Sequence, residues 1–140
     1  MILLENRVLI NKSVDEVFQT VTDVAKWPEF LPSHKEMKII NQEKDNLLIE
    51  WSLGVRLKTS IFIDRTNKRM ISEQLSGLVK GLRAEYVCKD QFGKTSLSLV
   101  HKFESKTPLI GKVIELVTLN SLKKMSPDTL NRVKRRLEVN

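Results

Sequence analysis

Residues 13–32 read SVDEVFQTVTDVAKWPEFLP, and this stretch decides how the rest of the chain is interpreted. Ser13 is a favourable helix N-cap, and Glu16 follows at the spacing of a capping box. Pro28 and Pro32 confine a second short helical or irregular piece that contains Trp27. The first helix has one apolar face, because its apolar residues recur at helical spacing: Val14, Val17, Phe18 and Val21.

Strand patterns flank this helical stretch on both sides. Alternation of apolar and polar residues, as in residues 47–53 and 57–63, is typical of strands with one buried face. Turn signals lie between the strands, at 43–46, at Gly54, at 66–68 and at 90–93. Consecutive strands joined by short turns form an antiparallel meander. The predicted strands are 2–10, 37–42, 47–53, 57–63, 70–75, 82–88 and 97–103.

A long amphipathic helix is predicted over residues 110–137 from apolar residues at roughly helical intervals. It is the only element large enough to cover the apolar face of seven strands. Pro127 lies within this run, and Ser126 before it resembles an N-cap. We therefore expect the helix to bend near Met125 or to restart at Ser126.

The composition indicates an ordinary globular protein. The chain has 140 residues, of which 41% are hydrophobic and 29% charged, so a single domain spanning 1–140 is expected. Its one cysteine, Cys88, excludes an intramolecular disulfide. The two histidines have no metal-site spacing, and neither a metal nor another cofactor is expected. The N-terminus does not read as a signal peptide, so a cytoplasmic protein is predicted. A monomer or a homodimer is expected.

The net charge is +7, and part of it is concentrated near the C-terminus. A solvated helix face explains this charge most simply. Peripheral contact with an anionic surface is the alternative. A nucleic-acid partner is not expected, because the basic segment has no interleaved aromatic residue. The residues concerned are Lys123, Lys124, Arg132, Lys134, Arg135 and Arg136.

Residues 8–32 resemble the START-like superfamily, in its polyketide cyclase/dehydrase and coenzyme-Q-binding branch. The likeness lies in a strand, the helix from Ser13, and the segment Asp23 to Pro32 with Trp27-Pro28-Glu29-Phe30 at its centre. It continues at Phe103-Glu104 and covers essentially the whole chain. The resemblance implies an α+β helix-grip (START/Bet v 1-like) fold. In this fold a curved seven-stranded antiparallel sheet holds the C-terminal helix, with two short helices after strand 1 and a cavity for a lipid, quinone or polyketide.

The resemblance and the inward strand faces together give a set of candidate ligand-binding residues. His101, Tyr86 and Thr59 are also the candidates for catalysis, because they are polar and predicted to face inward. For His101, a hydrogen-bonded structural role is favoured over chemistry. The face shared by Ser72 and Gln74 is left open, because alternation alone does not say which face is inward. The candidates are Trp27, Phe30, Trp51, Thr59, Ile61, Gln74, Tyr86, Leu99, His101, Val113 and Val117.

Three functions follow, in this order. The first is binding of a hydrophobic small molecule, such as a lipid, a quinone or a polyketide-like compound, between sheet and helix. The second is a polyketide cyclase or aromatase. Aromatase members of the superfamily carry an arginine on the middle strands where this chain has Ile61 or a neighbour, and this departure counts against that mechanism. The third is salt-sensitive association with ribosomes or membranes through the basic C-terminal helix.

Overall fold

The structure is a computed structural model that describes residues 1–52 and 55–139. The elements follow the predicted order, and the turn expected at Gly54 lies outside the described residues. The strands are β1 Ile2–Ile10, β2 Lys38–Glu43, β3 Asn46–Ser52, β4 Arg56–Asp64, β5 Arg69–Gln74, β6 Arg83–Gln91 and β7 Lys94–Phe103. The helices are α1 Val14–Thr22 and α2 Gly111–Glu138, with 3₁₀ helices at Val24–Glu29 and Pro32–His34.

All seven strands form one antiparallel sheet in the order β1-β7-β6-β5-β4-β3-β2. Apart from β1, each strand pairs with its neighbour in sequence, as a meander requires. β1 closes the other edge beside β7, and α2 packs against these two strands. The predicted helix-grip architecture, a curved sheet around a long C-terminal helix, is confirmed.

The inward face of the sheet matches the predicted alternation on β3, β4 and β7. It also answers the question that alternation left open for β5. Ser72 and Gln74 share the face of the buried Met70 and border a cavity under the helix. Leu75, by contrast, is exposed. The inward face of β5 is therefore partly polar, which is unusual for a plain hydrophobic core.

Ser13 caps α1 as predicted. Its hydroxyl accepts a hydrogen bond from the backbone N–H of Glu16 at 3.3 Å and lies 3.0 Å from the Glu16 carboxylate. This cap satisfies one of the free N–H groups at the start of the helix. The apolar face of α1 is buried through Val17, Phe18 and Val21.

The predicted restart of the C-terminal helix at Ser126 is wrong. α2 runs without interruption from Gly111 to Glu138, with Pro127 inside it. Proline removes one backbone N–H, but buried apolar residues on both sides, Leu122 and Leu130, hold the flanking turns against the sheet. The expected bend near Met125 stays a prediction. Among the described residues, no helix is long and apolar enough to span a membrane.

Candidate ligand-binding cavity

A cavity of about 100 Å³ lies between the inward face of the sheet and the middle of α2. The sheet register builds its floor. Ile61, Ser72, Ala84 and His101 are cross-strand partners on four neighbouring strands, β4 to β7. Side chains of directly paired residues share one face of a sheet, so this row points at the helix as a unit. Apolar side chains supply most of the wall: Leu31, Ile49, Leu82, Leu99, Leu122 and Met125.

Three aromatic rings form one side of the cavity. The imidazole of His34 stacks on Trp51 with 4.6 Å between ring centroids, and it meets Trp27 edge-on at 5.2 Å. Trp27 is fixed by a 2.9 Å hydrogen bond from its indole N–H to the Val21 carbonyl. The Ser33 hydroxyl lies 2.8 Å from Nδ1 of His34. These contacts give a fixed aromatic surface, of the kind that a flat ring packs against.

A chain of hydrogen bonds crosses the sheet beside these rings. The Trp51 indole N–H donates to Oγ1 of Thr59 at 2.8 Å, and the Thr59 hydroxyl donates to Oε1 of Gln74 at 2.9 Å. Each donor therefore has an acceptor, as buried polar groups require. The side-chain NH₂ of Gln74 has no partner among the described residues, and it remains available to a ligand.

His101 faces the helix from β7. It is 6% exposed, and its Nδ1 lies 3.2 Å from Oγ of the buried Ser126 on α2. Burial lowers the pKa of His101 to about 4, and burial likewise lowers the pKa of His34 to about 4. Both imidazoles are therefore neutral at pH 7, with one ring nitrogen able to donate and the other able to accept.

Tyr86 and Thr129 complete the polar lining. Burial raises the pKa of the Tyr86 phenol, so the group is a neutral O–H donor at physiological pH. The hydroxyls of Tyr86, Ser72 and Thr129 have no hydrogen-bond partner among the residues that the structure describes. The cavity thus combines apolar walls with several polar groups whose hydrogen-bonding capacity the protein does not use.

The structure brings eight of the eleven predicted site residues to this cavity: Trp27, Trp51, Thr59, Ile61, Gln74, Tyr86, Leu99 and His101. The prediction misplaces Phe30. The Arg136 guanidinium lies over the Phe30 ring, 5.1 Å from the ring centroid, and Phe30 borders a separate surface groove. That these eight residues bind a ligand stays a prediction.

Val113 and Val117 do not line the cavity, and their predicted placement is wrong. Both are 60% exposed. Leu122, which does line the cavity, comes nine residues after Val113, and nine residues are two and a half helical turns. The side chains of Val113 and Leu122 therefore lie on opposite sides of α2.

Sequence reasoning missed His34 and Ser126. His34 lies in a 3₁₀ helix of three residues, which is too short to have a periodicity. Ser126 has the sequence context of a helix cap, because Pro127 follows it. The available signal was its spacing, since it is four residues from both Leu122 and Leu130 on the buried stripe of α2.

The antiparallel sheet around a long C-terminal helix defines a helix-grip fold, and a partly open cavity lies between the two. Residues 10–128 match the family model described as "Polyketide cyclase / dehydrase and lipid transport", and the chain belongs to this family. None of the curated proteins matches the sequence.

Solved structures show the same fold at low sequence identity. The Zhui aromatase/cyclase of a Streptomyces species is 16% identical, with a TM-score of 0.87 over 98% of this chain and 93% of that one. A START superfamily protein from Mycobacterium smegmatis is 14% identical, with a TM-score of 0.70 over 95% and 97%. Norcoclaurine synthase from Thalictrum flavum is 11% identical, with a TM-score of 0.77 over 99% and 87%. At these identities the likeness concerns the fold alone.

Proposed function

We propose that this protein binds a compact, ring-containing, largely apolar molecule that carries carbonyl or hydroxyl groups. The observation that carries the proposal is a cavity with apolar walls in which several hydrogen-bonding groups have no protein partner. Ser72, Gln74, Tyr86 and Thr129 are half-buried, so water can complete these groups in the free protein and a ligand can replace that water. A mostly apolar pocket with a few convergent polar groups is typical of small-molecule sites.

The aromatic side of the cavity supports a flat ligand. A ring inserted beside Trp51 and His34 finds a surface whose orientation is fixed by hydrogen bonds to Thr59 and Ser33. Offset or edge-on packing of aromatic rings adds about 0.5–1.5 kcal/mol beyond the burial of area. The preformed arrangement also limits the ordering cost of binding.

The polar side supports oxygen substituents on that ring. The Tyr86 hydroxyl and the Gln74 amide NH₂ are donors, and they suit a carbonyl oxygen. Among the described residues no lysine or arginine lines the cavity, and both histidines are neutral, so this lining offers no cation for a carboxylate or phosphate. The ligand class is therefore neutral ketones and phenols rather than anionic lipids with charged groups inside the cavity.

The volume restricts the size of the ligand. About 100 Å³ is smaller than the roughly 300–1,000 Å³ of drug-sized pockets and of the same order as a cavity that holds benzene. One ring that buries about 150 Å² gains about 4 kcal/mol, before the cost of association is subtracted and hydrogen bonds are added. A multi-ring ligand requires the helix or Met125 to move.

Intrinsic fluorescence offers a direct test, because the only two tryptophans of the chain, Trp27 and Trp51, both border the cavity. Acetophenone, 2-acetonaphthone and 2-acetylanthracene form a probe series of one, two and three rings. We expect saturable quenching by acetophenone, with weaker binding as rings are added. Quenching that does not saturate, and that matches the quenching of free N-acetyltryptophanamide, contradicts the proposal.

The two alanines of the chain provide a matched pair of variants. Ala84 lies in the cavity floor between Ser72 and His101, whereas Ala25 is exposed. Ala84→Leu adds three carbons to the cavity and is expected to weaken acetophenone binding at least tenfold. Ala25→Leu makes the same chemical change at the surface and is expected to leave binding unchanged.

A second candidate function is cyclisation of a linear poly-β-ketone. It is favoured by the placement of His101 and Tyr86 on one cavity wall, with Nδ1 of His101 held by Ser126. His101 would take a proton from a methylene between two carbonyls, and the carbanion would form a carbon–carbon bond to a distant ketone. Tyr86 would protonate the resulting alkoxide and regain its proton from His101, and loss of one water would give the aromatic ring. The lowered pKa makes His101 a weak base, which ranks this function second.

The cyclase candidate is tested with synthetic nonane-2,4,6,8-tetraone, whose aldol cyclisation and loss of water give a dihydroxy-methylacetophenone. A cyclase accelerates this conversion, and the triple variant Thr59→Val, Tyr86→Phe and His101→Asn abolishes the acceleration. Equal rates for the wild type, the triple variant and buffer reject catalysis but leave the binding proposal standing. Equal acceleration by the wild type and the triple variant rejects the assigned residues.

A further inference from the structure

The first half of α2, together with the loop before it, leaves several large apolar side chains in solvent. Val113 and Val117 are 60% exposed, and Ile110 is 51% exposed. Leu116 is exposed to a similar degree, and Leu109 in the loop is fully exposed. Single exposed apolar residues are ordinary, but five within nine residues form a patch of the kind that marks an interaction site.

This patch is separate from the face of α2 that covers the sheet. Ile110, Val113 and Val117 follow one another at spacings of three and four residues and so form one stripe. The buried stripe, which includes Leu122 and Leu130, lies on the other side of the helix. The helix therefore has two apolar faces, and the outer one does not contribute to the core.

The cations of this segment lie on the same outward side. Lys124 is seven residues from Val117, and Lys112 and Lys123 are four and seven residues from Leu116. Residues seven apart stand almost directly above one another on a helix. All three lysines are exposed, and Lys123 and Lys124 have no ion-pair partner among the described residues.

Negative charge is sparse on this stretch of α2, and Glu104 and Glu115 border one groove together with Lys112. Glu115 is the only carboxylate between residues 109 and 124. It forms an ion pair with the N-terminal amine of Met1 and accepts a hydrogen bond from the Ser105 backbone N–H. The same partners, with a contribution from Lys112, hold its pKa below the ordinary value. The outward surface thus combines apolar side chains with Lys123 and Lys124, which have no ion-pair partner among the described residues, whereas Lys112 lies near Glu115.

We propose that this outer face of α2 (Ile110, Val113, Leu116 and Val117, with Lys112, Lys123 and Lys124) docks on an anionic lipid surface. An apolar stripe flanked by lysines is the arrangement with which a helix lies in the headgroup region of such a membrane. A second copy of the chain fits less well, because a two-fold contact through this face brings the lysines of both copies together.

The basic C-terminal end of α2 does not offer the same surface. Arg132 lies 2.7 Å from the Asp128 carboxylate, and Arg136 lies 2.7 Å from that of Glu29. Lys134 lies 3.8 Å from the carboxylate of Glu138. Three of the four cations at this end are therefore balanced locally, and only Arg135 has no ion-pair partner among the described residues, so we assign the anionic-surface contact to the first half of the helix.

Sedimentation with vesicles tests the proposal. Vesicles of phosphatidylcholine with 30% phosphatidylserine are compared with pure phosphatidylcholine, at 0.1 M and 0.5 M NaCl. We expect binding to the anionic vesicles at low salt and its loss at high salt. We expect Lys123→Ala with Lys124→Ala to weaken binding about 25-fold, at about fivefold for each lysine near the surface. Val113→Ser with Val117→Ser is expected to weaken binding more than tenfold, because it removes two anchoring side chains.

Phe92→Ser is the matched control, since Phe92 is more exposed than any of the four apolar residues named in the proposal but lies on the β6–β7 turn. It should leave vesicle binding unchanged. Failure of the wild type to bind anionic vesicles overturns the proposal, as does an equal loss in Phe92→Ser. A dimer in light scattering that the valine variant converts to a monomer shows that a second copy occupies this face instead.

The vesicle result and the cavity proposal are independent. Val113 and Val117 do not line the cavity, so acetophenone quenching should be the same in their double variant as in the wild type. That titration also shows that the variant is folded. Absent acetophenone binding in the wild type contradicts the cavity proposal alone, and absent vesicle binding contradicts the membrane proposal alone.

Discussion

Lowering the pH from 7 to 5 will destabilise this protein through the two histidines of the cavity. His34 and His101 are the only histidines of the chain, and burial lowers the pKa of each from 6.5 to about 4. The unfolded chain therefore binds more protons than the folded chain between these pH values. The stability that depends on keeping both imidazoles neutral is fully present above pH 6.5 and is lost as the pH falls towards 4.

The size of the effect follows from the width of this window. Each pH unit between 6.5 and about 4 lowers the free energy of unfolding by about 1.4 kcal/mol for each histidine. Of the change from pH 7 to 5, about 1.5 units lie in this range. The free energy of unfolding should therefore fall by about 2 kcal/mol for each histidine, or about 4 kcal/mol together. The three carboxylates with lowered pKa values, Asp64, Glu29 and Glu115, do not share this window, because the stabilisation that they contribute is lost only below about pH 4.5.

Urea denaturation followed by circular dichroism measures the effect without relying on the tryptophans beside His34. His34→Phe keeps an aromatic ring, and His101→Asn keeps a polar group close to Ser126. Each single variant should lose about half of the pH dependence between 7 and 5, and the double variant should lose nearly all of it. A wild-type stability that is equal at the two pH values refutes the burial of neutral imidazoles.

Three further changes test other parts of the structure by urea denaturation. Thr59→Val leaves the buried Trp51 N–H without its acceptor and should lower the free energy of unfolding by about 1–3 kcal/mol. An unchanged stability would show that this hydrogen bond does not form. Phe92→Asn should raise the free energy of unfolding by about 1 kcal/mol, because Phe92 is 98% exposed and holds a φ of 55°. It precedes Gly93 in a two-residue turn that favours Asn-Gly, so a loss of stability contradicts this turn geometry. Leu130→Ala should cost about 2–5 kcal/mol, since this side chain is fully buried opposite the sheet, and a cost below 1 kcal/mol means that α2 packs differently.

The sequence predicts the floor of the cavity well and its roof poorly. Strand alternation fixes which side chains share a face, so Thr59, Ile61 and His101 are placed correctly by period alone. The helix is different, because α2 has apolar residues on two sides. Val113 and Leu122 both fit an amphipathic pattern, and only packing against β1 and β7 decides which of them faces the sheet.

The polar lining depends on features that local patterns do not encode. His34 reaches the cavity because two short 3₁₀ helices bring it against Trp27 on one side and against Trp51, from a distant strand, on the other. Ser126 has the sequence context of a cap, yet it faces His101, which is 25 residues away. Such contacts are tertiary and have no period in the sequence.

Native mass spectrometry of protein purified from cells tests the central claim, a ring-sized ligand site between sheet and α2, most directly. The wild type and Ala25→Leu should each carry a non-covalent adduct whose mass fits a compact, uncharged ring compound. Ala84→Leu, which fills the cavity, should lack it while remaining folded by circular dichroism. An adduct retained in Ala84→Leu, or absent from all three proteins together with absent acetophenone binding, contradicts the claim.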